Sequence, residues 1–266
     1  MADDPFRAEL DAILGDLKAS LLFLTRVPAR LFGDSGAARP DFSRAARVFP
    51  AIGVLIGAVG GLVLIVARDL GESPLIAAGL AVLATFLLTG GLHEDGLADT
   101  ADGFCGGATA ERKLEIMDDS RIGTYGAVAL VSSIGLRVTA LADLAIFGSW
   151  RSALALIAAE AVSRAAVVRL WHALPSARPG SLSEQAGPPD QMAMLIAIAI
   201  ALVVVVITVI PAYGFWAAVV GSALAALATF GMTLLADRQI GGRTGDTLGA
   251  CQQVAAIAFL IGVAGF

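Results

Sequence analysis

Long apolar runs alternate along this chain with short polar connections that carry its charge and much of its glycine. Seven runs, at 48–67, 74–92, 125–147, 152–171, 192–210, 215–236 and 248–266, are long enough to cross a ~30 Å hydrocarbon core, which takes about 20 residues at 1.5 Å each. None alternates residue by residue as a membrane-barrel strand would; all are continuously apolar and rich in Ala, Leu, Val and Gly. The pattern predicts an all-α, polytopic integral membrane bundle of about seven transmembrane helices, with a single domain over 1–266. Gly57, Gly60 and Gly61 suit close backbone approach between helices. Residues 8–24 are only weakly apolar and predict an N-terminal amphipathic or re-entrant helix at the membrane surface. With Asp3, Asp4 and Glu9 around its start and no small-residue cleavage pattern, this stretch does not read as a signal peptide.

Composition sharpens the class. A hydrophobic share of 57%, a charged share of 15% and a mean hydropathy of +0.81 lie far from the roughly quarter-charged average of soluble domains. Cys105 and Cys251 are too few for a disulfide framework or a thiolate metal site, so both are expected as free thiols. The net charge of -5 says little about partners, because the signs are segregated by loop. Arg26, Arg30, Arg39, Arg44 and Arg47 all precede the first span, which predicts a cytoplasmic N-terminus. Seven alternating spans then put 93–124, 172–190 and 237–247 in the cytoplasm and leave 68–73, 148–151 and 211–214 outside. Arg112, Lys113, Arg121, Arg178, Arg238 and Arg243 fall inside, against Arg68 and Arg151 outside. The polar connections therefore share one predicted face, as an enzyme acting on cytosolic substrates requires.

The segment LTGGLHEDGLADTADGF puts five titratable groups directly behind an apolar run. At 100° per residue, Asp95, Asp99 and Asp102 project at about 0°, 40° and -20°, one narrow helix face. Unpaired carboxylates so close raise one another's pKa unless a cation neutralises them. The stripe is either a solvated acidic face or a cation site, and its place beside Gly90 and Gly91 at a membrane boundary favours the second. Its spacing is not that of an EF-hand loop. An oxygen-only donor set selects Mg²⁺, with Mn²⁺ as the alternative, over zinc; two such ions can bridge a pyrophosphate. His93 is open between ligand, proton acceptor and interfacial hydrogen-bonder.

A second polar helix is expected in ERKLEIMDDSRIG, capped by Thr109 and stopped at Gly123. Arg112, Glu115 and Asp119 share its charged face, while Asp118 points away by about 100°. Arg112, Lys113 and Arg121 are candidates for gripping phosphate oxygens, the alternative being ion pairs with neighbouring acids. Asp119 is a candidate to complete the metal site. A third patch, IGGRTGDTLGACQQ, carries Gly241, Gly242 and Gly245, which free the backbone to approach a ligand, with Arg243 and Asp246 as charged groups. It lacks the Gly-Lys-Ser/Thr ending of a Walker motif. Within the spans, Glu160 and Arg164 lie four apart and are expected to pair, with Arg137 as a third member, the alternative being contact with a bulky polar substrate.

FLTRVP at 23–28, VFPAIGVLIG at 48–57, TGGLHEDGLADTADG at 89–103, LEIMDDSRIGTYG at 114–126 and TGDTLGACQQ at 244–253 together resemble the cobalamin synthase family, the adenosylcobinamide-GDP ribazoletransferases. The motifs stand in that family's order and cover most of the chain; 172–190 and its neighbouring spans are left unanchored. The resemblance implies transfer of the adenosylcobinamide-phosphate group of adenosylcobinamide-GDP to α-ribazole or its 5′-phosphate, giving adenosylcobalamin or its 5′-phosphate and GMP, with Mg²⁺ required. It carries over His93, Asp95, Asp99 and Asp102, then Glu115, Asp119, Ser120 and Arg121, then Gly245 and Asp246, while Glu94 and Asp118 stand outside its first rank. Asp95, Asp99, Asp102 and Asp119 are then the expected metal ligands and, with His93, the expected catalytic set; Asp102, Asp119 and His93 are the candidates for taking the hydroxyl proton. Arg112, Lys113, Arg121, Ser120, Arg243, Gly245 and Asp246 are expected to bind substrate. The implied partners are the two substrates and the lipid bilayer of the cell inner membrane. Other cobalamin-assembly enzymes and a second copy of the chain stay open, and nucleic acid is not among the partners. Two other classes remain: a membrane phosphotransferase of the CDP-alcohol type, and a cation or corrinoid transporter, which would distribute its acids across the bilayer instead of gathering them on one side.

Overall fold

The computed structural model describes residues 5–32, 41–178, 180 and 187–266. Of the residues singled out above, Asp3, Asp4, Arg39 and part of the 172–190 connection lie outside that set. Among the described residues every element is helical, apart from one isolated bridge between Ser176 and Arg243. The helices are α1 (Pro5–Leu24), α2 (Phe42–Ala45), α3 (Phe49–Asp69), α4 (Pro74–Thr89), α5 (Leu92–Gly106), α6 (Ala110–Met117), α7 (Thr124–Ile146), α8 (Ser149–Ala173), α9 (Gln191–Tyr213), α10 (Phe215–Ile240) and α11 (Gly245–Ala264).

Each of the seven apolar runs is helical, but they do not all cross in the same way. Five segments are long and apolar enough to span alone: Phe42–Asp69, α7, α9, α10 and α11. A sixth arises if α4 and α5 are counted together as one bent span; α4 alone has 16 residues and covers only about 24 Å. It ends at Gly90 and Gly91, with φ of 67° and 73°, left-handed values that β-carbon-bearing residues resist. Across this elbow the chain bends by 91° into α5. Too polar to sit in lipid, α5 runs across the starts of α7 and α11 at one end of the bundle. The run drawn straight as 74–92 is thus a short apolar helix that ends in a sharp bend, the shape of a broken span or a re-entrant segment.

The seventh run, α8, has the length to span but carries Arg151, Glu160, Arg164 and Arg169. It is the central post, enclosed by α3, α9 and α11, with most of its residues buried in protein. Protein instead of lipid around it explains why α8 needs less hydrophobicity than α9 or α10. Close contact with α3 depends on glycine: a Cβ at Gly57 would lie 2.6 Å from the Ile157 Cα, and one at Gly61 would lie 2.9 Å from the Ala153 Cβ. Two apolar clusters fill the interior, one around Leu64, Leu141, Leu156 and Phe259, the other around Phe49, Ile56, Leu170 and Trp171. The N-terminal α1 is not among the spans; its buried Asp16 accepts hydrogen bonds from Arg44 and Arg47, each at 3.0 Å. Two of the arginines counted for topology therefore also anchor α1 to the start of α3.

Candidate active site

The site end of the bundle is where α5 lies, α7 and α11 begin, and α8 and α10 finish. What fixes α5 there is a set of close approaches. A Cβ at Gly96 would stand 2.7 Å from the Asp246 carbonyl oxygen and 2.9 Å from its Cα, so only glycine lets α5 rest on the first turn of α11. At the other end of α5, Asp102 accepts hydrogen bonds from the backbone N–H groups of Gly123 (2.7 Å) and Gly126 (2.9 Å). These belong to the amides a helix start leaves without internal partners, so Asp102 closes the N-terminus of α7. The expected stripe is real, but its third member is buried and occupied with holding two helices together.

Asp95 and Asp99 are different. Asp95 is exposed and Asp99 half-buried, and neither carboxylate makes a hydrogen bond or ion pair with a described residue. Burial first, then the charges of Asp95, Asp246 and Asp102, push the Asp99 carboxyl up to about 7, with Arg178 pulling the other way. That mutual repulsion is what a bound cation would relieve.

Asp246 reaches the group from the first turn of α11, capped by Thr244, whose hydroxyl also donates to Asp246 Oδ2 at 3.2 Å. Gly245 is exposed, with no atom where a Cβ would stand, so open space meets the amide end of α11. Arg178 joins the elements: its Nη1 lies 2.6 Å from Asp118 Oδ1, its Nη2 lies 3.7 Å from Asp246 Oδ2, and it donates to the Leu114 carbonyl at 3.1 Å. Sequence reasoning used Arg178 only as an inside charge and set Asp118 aside. The signal that an arginine in the unanchored 172–190 connection shares a face with the acids was present, though nothing local said where it would land.

Other expected members are placed elsewhere. Helix α6 stops at Met117 instead of running to Gly123, because Asp119 bonds forward to the Arg121 amide at 3.1 Å and its guanidinium at 3.0 Å, closing a local turn. Asp119 therefore leaves the predicted helix face; the clamp by exposed Arg121 holds it down to about 2. Arg112 pairs with Glu115 at 2.8 Å, and Lys113 hydrogen-bonds Gln239 of α10. The predicted cap on α6 is present, with Thr109 accepting from the Arg112 amide at 3.3 Å. Ser120 is exposed in the same turn. Arg243 is buried: it donates to the carbonyls of Trp171 (3.2 Å) and Leu174 (3.1 Å) and lies over the Trp171 ring, fastening the end of α8 to the start of α11. The guanidinium expected to meet substrate thus makes these contacts within the protein.

His93 turns inward. With Glu94, Arg137, Glu160, Arg164, Thr85, Thr89, Gln252 and Gln253 it surrounds a small polar cavity behind the elbow. Glu160 and Arg164 pair as expected; Arg137 instead binds Glu94 at 3.0 Å, joining the group through a residue the motif had ranked second. Gln252 and Gln253 bond to Ser163 (2.9 Å) and Ser133 (2.8 Å), tying α11 to α8 and α7.

Among the described residues no three His, Cys, Asp or Glu side chains converge on one metal position. Carboxylates that crowd without closing a cage suit Mg²⁺, which is commonly held by one or two carboxylates plus substrate phosphates.

A family profile described as cobalamin-5-phosphate synthase matches residues 16–264. The chain belongs to that family. It is 48% identical over 252 residues to an adenosylcobinamide-GDP ribazoletransferase of Azorhizobium caulinodans, covering 94% of this chain and 96% of the relative. Relatives of the same name from Brucella anthropi and Brucella melitensis are 43% and 42% identical over 256 residues, covering 95% of this chain and 97% of each. No solved structure matches. As a cobalamin-5-phosphate synthase family member, the chain is a transferase, and at one end of its bundle the motif residues Asp95, Asp99 and Asp246 stand beside Arg178.

Proposed function

We infer that this protein is an adenosylcobinamide-GDP ribazoletransferase, completing the nucleotide loop of cobalamin. The family match carries the reaction, and the uncompensated pair Asp95 and Asp99 beside Asp246 carries the site. A hydroxyl of α-ribazole or its 5′-phosphate attacks the phosphorus bound to cobinamide. A new P–O bond forms, the P–O bond to GMP breaks, and the hydroxyl proton leaves to a carboxylate of the cluster. Charge grows on the nonbridging and leaving oxygens, so preorganised positive groups lower the barrier. Arg178 is placed to hold the diphosphate, with the open amide end of α11 at Gly245 beside it. One or two of the carboxylates of Asp95, Asp99 and Asp246, together with phosphate oxygens of the substrate, would hold Mg²⁺, which would supply charge neutralisation for the diphosphate. Asp102 positions α5 on α7 through the amides of Gly123 and Gly126.

The positive-inside pattern supports an inner-membrane protein with the site end in the cytoplasm. Grouping of the acids at one end, with the Glu94–Arg137 and Glu160–Arg164 charges self-paired, argues against a transport path. The test is GMP release from adenosylcobinamide-GDP plus α-ribazole 5′-phosphate by protein in liposomes, with Mg²⁺, with Mn²⁺ and with EDTA, beside Asp99→Asn. Metal-dependent release that falls at least 100-fold in the variant is expected. Turnover unaffected by EDTA removes the metal; CMP release from a CDP-alcohol substrate instead of GMP release moves the chain to the other phosphotransferase class.

A further inference from the structure

On the flank of the bundle, away from the carboxylates, α8, α9 and α10 enclose a crevice of about 400 Å³, within the size range of ligand pockets. Its walls are apolar: Val162 on α8, Ile198 and Leu202 on α9, Ala226 and Phe230 on α10. Thr229 and Thr233 also line it, but their hydroxyls donate to the carbonyls of Ala225 (2.7 Å) and Thr229 (2.8 Å), so they offer a guest no free donor. The lining on α10 runs from Ser222 to Thr233, about 16 Å of helix and so about half of a ~30 Å hydrocarbon core. The crevice has the depth of one leaflet.

One charged side chain lines it. Arg169 is exposed, one turn before the end of α8, at the site end of the bundle, and makes no hydrogen bond or ion pair with a described residue. An unpaired cation at the mouth of a leaflet-deep apolar slot is complementary to a molecule with an anionic head and a long hydrocarbon tail. Arginine is suited to phosphate, which it meets with paired donors, and near a helix end its head reaches the lipid interface while its stem stays in hydrocarbon. We propose that this crevice is a binding site for one anionic phospholipid of the leaflet on the site face, an acyl chain lying between α8, α9 and α10 and the phosphate held by Arg169. The lipid would fill the groove left between α9 and α10, two of the least enclosed spans, and the central post.

Native mass spectrometry of the full chain released from nanodiscs of equal phosphatidylglycerol and phosphatidylcholine tests this, for the wild type, Arg169→Gln, Ala226→Trp and Leu202→Trp. The wild type is expected to retain one phospholipid, enriched about fivefold in phosphatidylglycerol, the preference one basic residue confers at a membrane surface. Arg169→Gln should keep the lipid and lose the enrichment. Ala226 and Leu202 are both exposed on the open side of the crevice, so a tryptophan at either fills the slot with little disturbance of the buried packing, and both variants should lose the lipid. Thermal unfolding in detergent identifies any variant that has failed to fold, and the other filling variant then decides. A wild type without retained lipid, folded filling variants that keep it, an enrichment that survives Arg169→Gln, or a lipid-free dimer closed over the groove each overturns the proposal. The measurement reads lipid occupancy and not turnover, so its outcome is separate from that of the transferase reading.

Discussion

Gly96→Ala adds a single methyl group where α5 rests on α11. The new Cβ would lie 2.7 Å from the Asp246 carbonyl oxygen and 2.9 Å from its Cα, both backbone atoms of a capped first helical turn. Reaching an ordinary contact of about 3.5 Å requires the two helices to part by about 0.8 Å. Overpacking of this kind costs about 1–3 kcal/mol, and a displacement near 1 Å between catalytic elements costs about 100-fold in rate. Asp95 and Asp99 ride on the side that moves, and Asp246 on the side that stays. GMP release should therefore fall about 100-fold while the protein still folds, with a lowered unfolding midpoint in detergent. Gly231→Ala is the matched control, because no atom lies within 4 Å of its added Cβ in the middle of α10. There the substitution is expected to stabilise by about 0.5–1 kcal/mol, since glycine is the poorer helix former. If Gly96→Ala keeps its rate within threefold of the wild type, the spacing of α5 and α11 does not set the geometry of the site.

The remaining predictions concern charge. In the metal-free protein Asp99 titrates near 7 when folded and at the ordinary carboxylate value when unfolded, so between those values the folded state holds the extra proton and stability falls as pH rises. Thermal melts in EDTA should show the midpoint dropping from about pH 5 to pH 8, with Mg²⁺ restoring it at pH 8 and Asp99→Asn flattening the profile; a flat wild-type profile refutes the repulsion. Glu94→Gln leaves Arg137 buried without its counter-charge and should cost about 3 kcal/mol or more, while the double change Glu94→Gln with Arg137→Met should recover at least half of that loss in a thermal or denaturant melt. Arg178→Ala should raise KM for the GDP-linked substrate about tenfold, the value of one charge-assisted contact, with a stability loss of about 1–3 kcal/mol because the mostly buried guanidinium also bonds Asp118 and the Leu114 carbonyl. An unchanged KM would remove Arg178 from the substrate site.

The membrane class, the helix positions and the small-residue contact of α3 with α8 were legible because each depends on local pattern: run length, period, and glycine where a backbone must come close. The charged residues of α8 did not hide it, since their i, i+4 pairing is also local. The elbow was less so. Gly90 and Gly91 were visible as a pair, yet hydropathy alone draws the span straight through to residue 92, because no average of apolarity records two successive left-handed φ values.

The site divides along the same line. A helical wheel gives the direction in which Asp95, Asp99 and Asp102 leave their own axis, and that direction is correct; it says nothing of what waits there. Open space faces Asp95, whereas the amides of Gly123 and Gly126 face Asp102, and that difference separates a group free to bind a ligand from one that holds two helices together. The same distinction moves Arg243 into the interior, keeps Asp119 in its turn with Arg121, and brings Arg178 onto Asp118 and Asp246 from a connection that carried no motif. Charged side chains without a described partner also stand exposed elsewhere, Arg151, Asp237 and Arg238 among them. What sets Asp95 and Asp99 apart is that they share one face of α5 beside Asp246 and Arg178, with Asp99 half-buried and repelled by its acidic neighbours, so the search for the reacting groups narrows to that face.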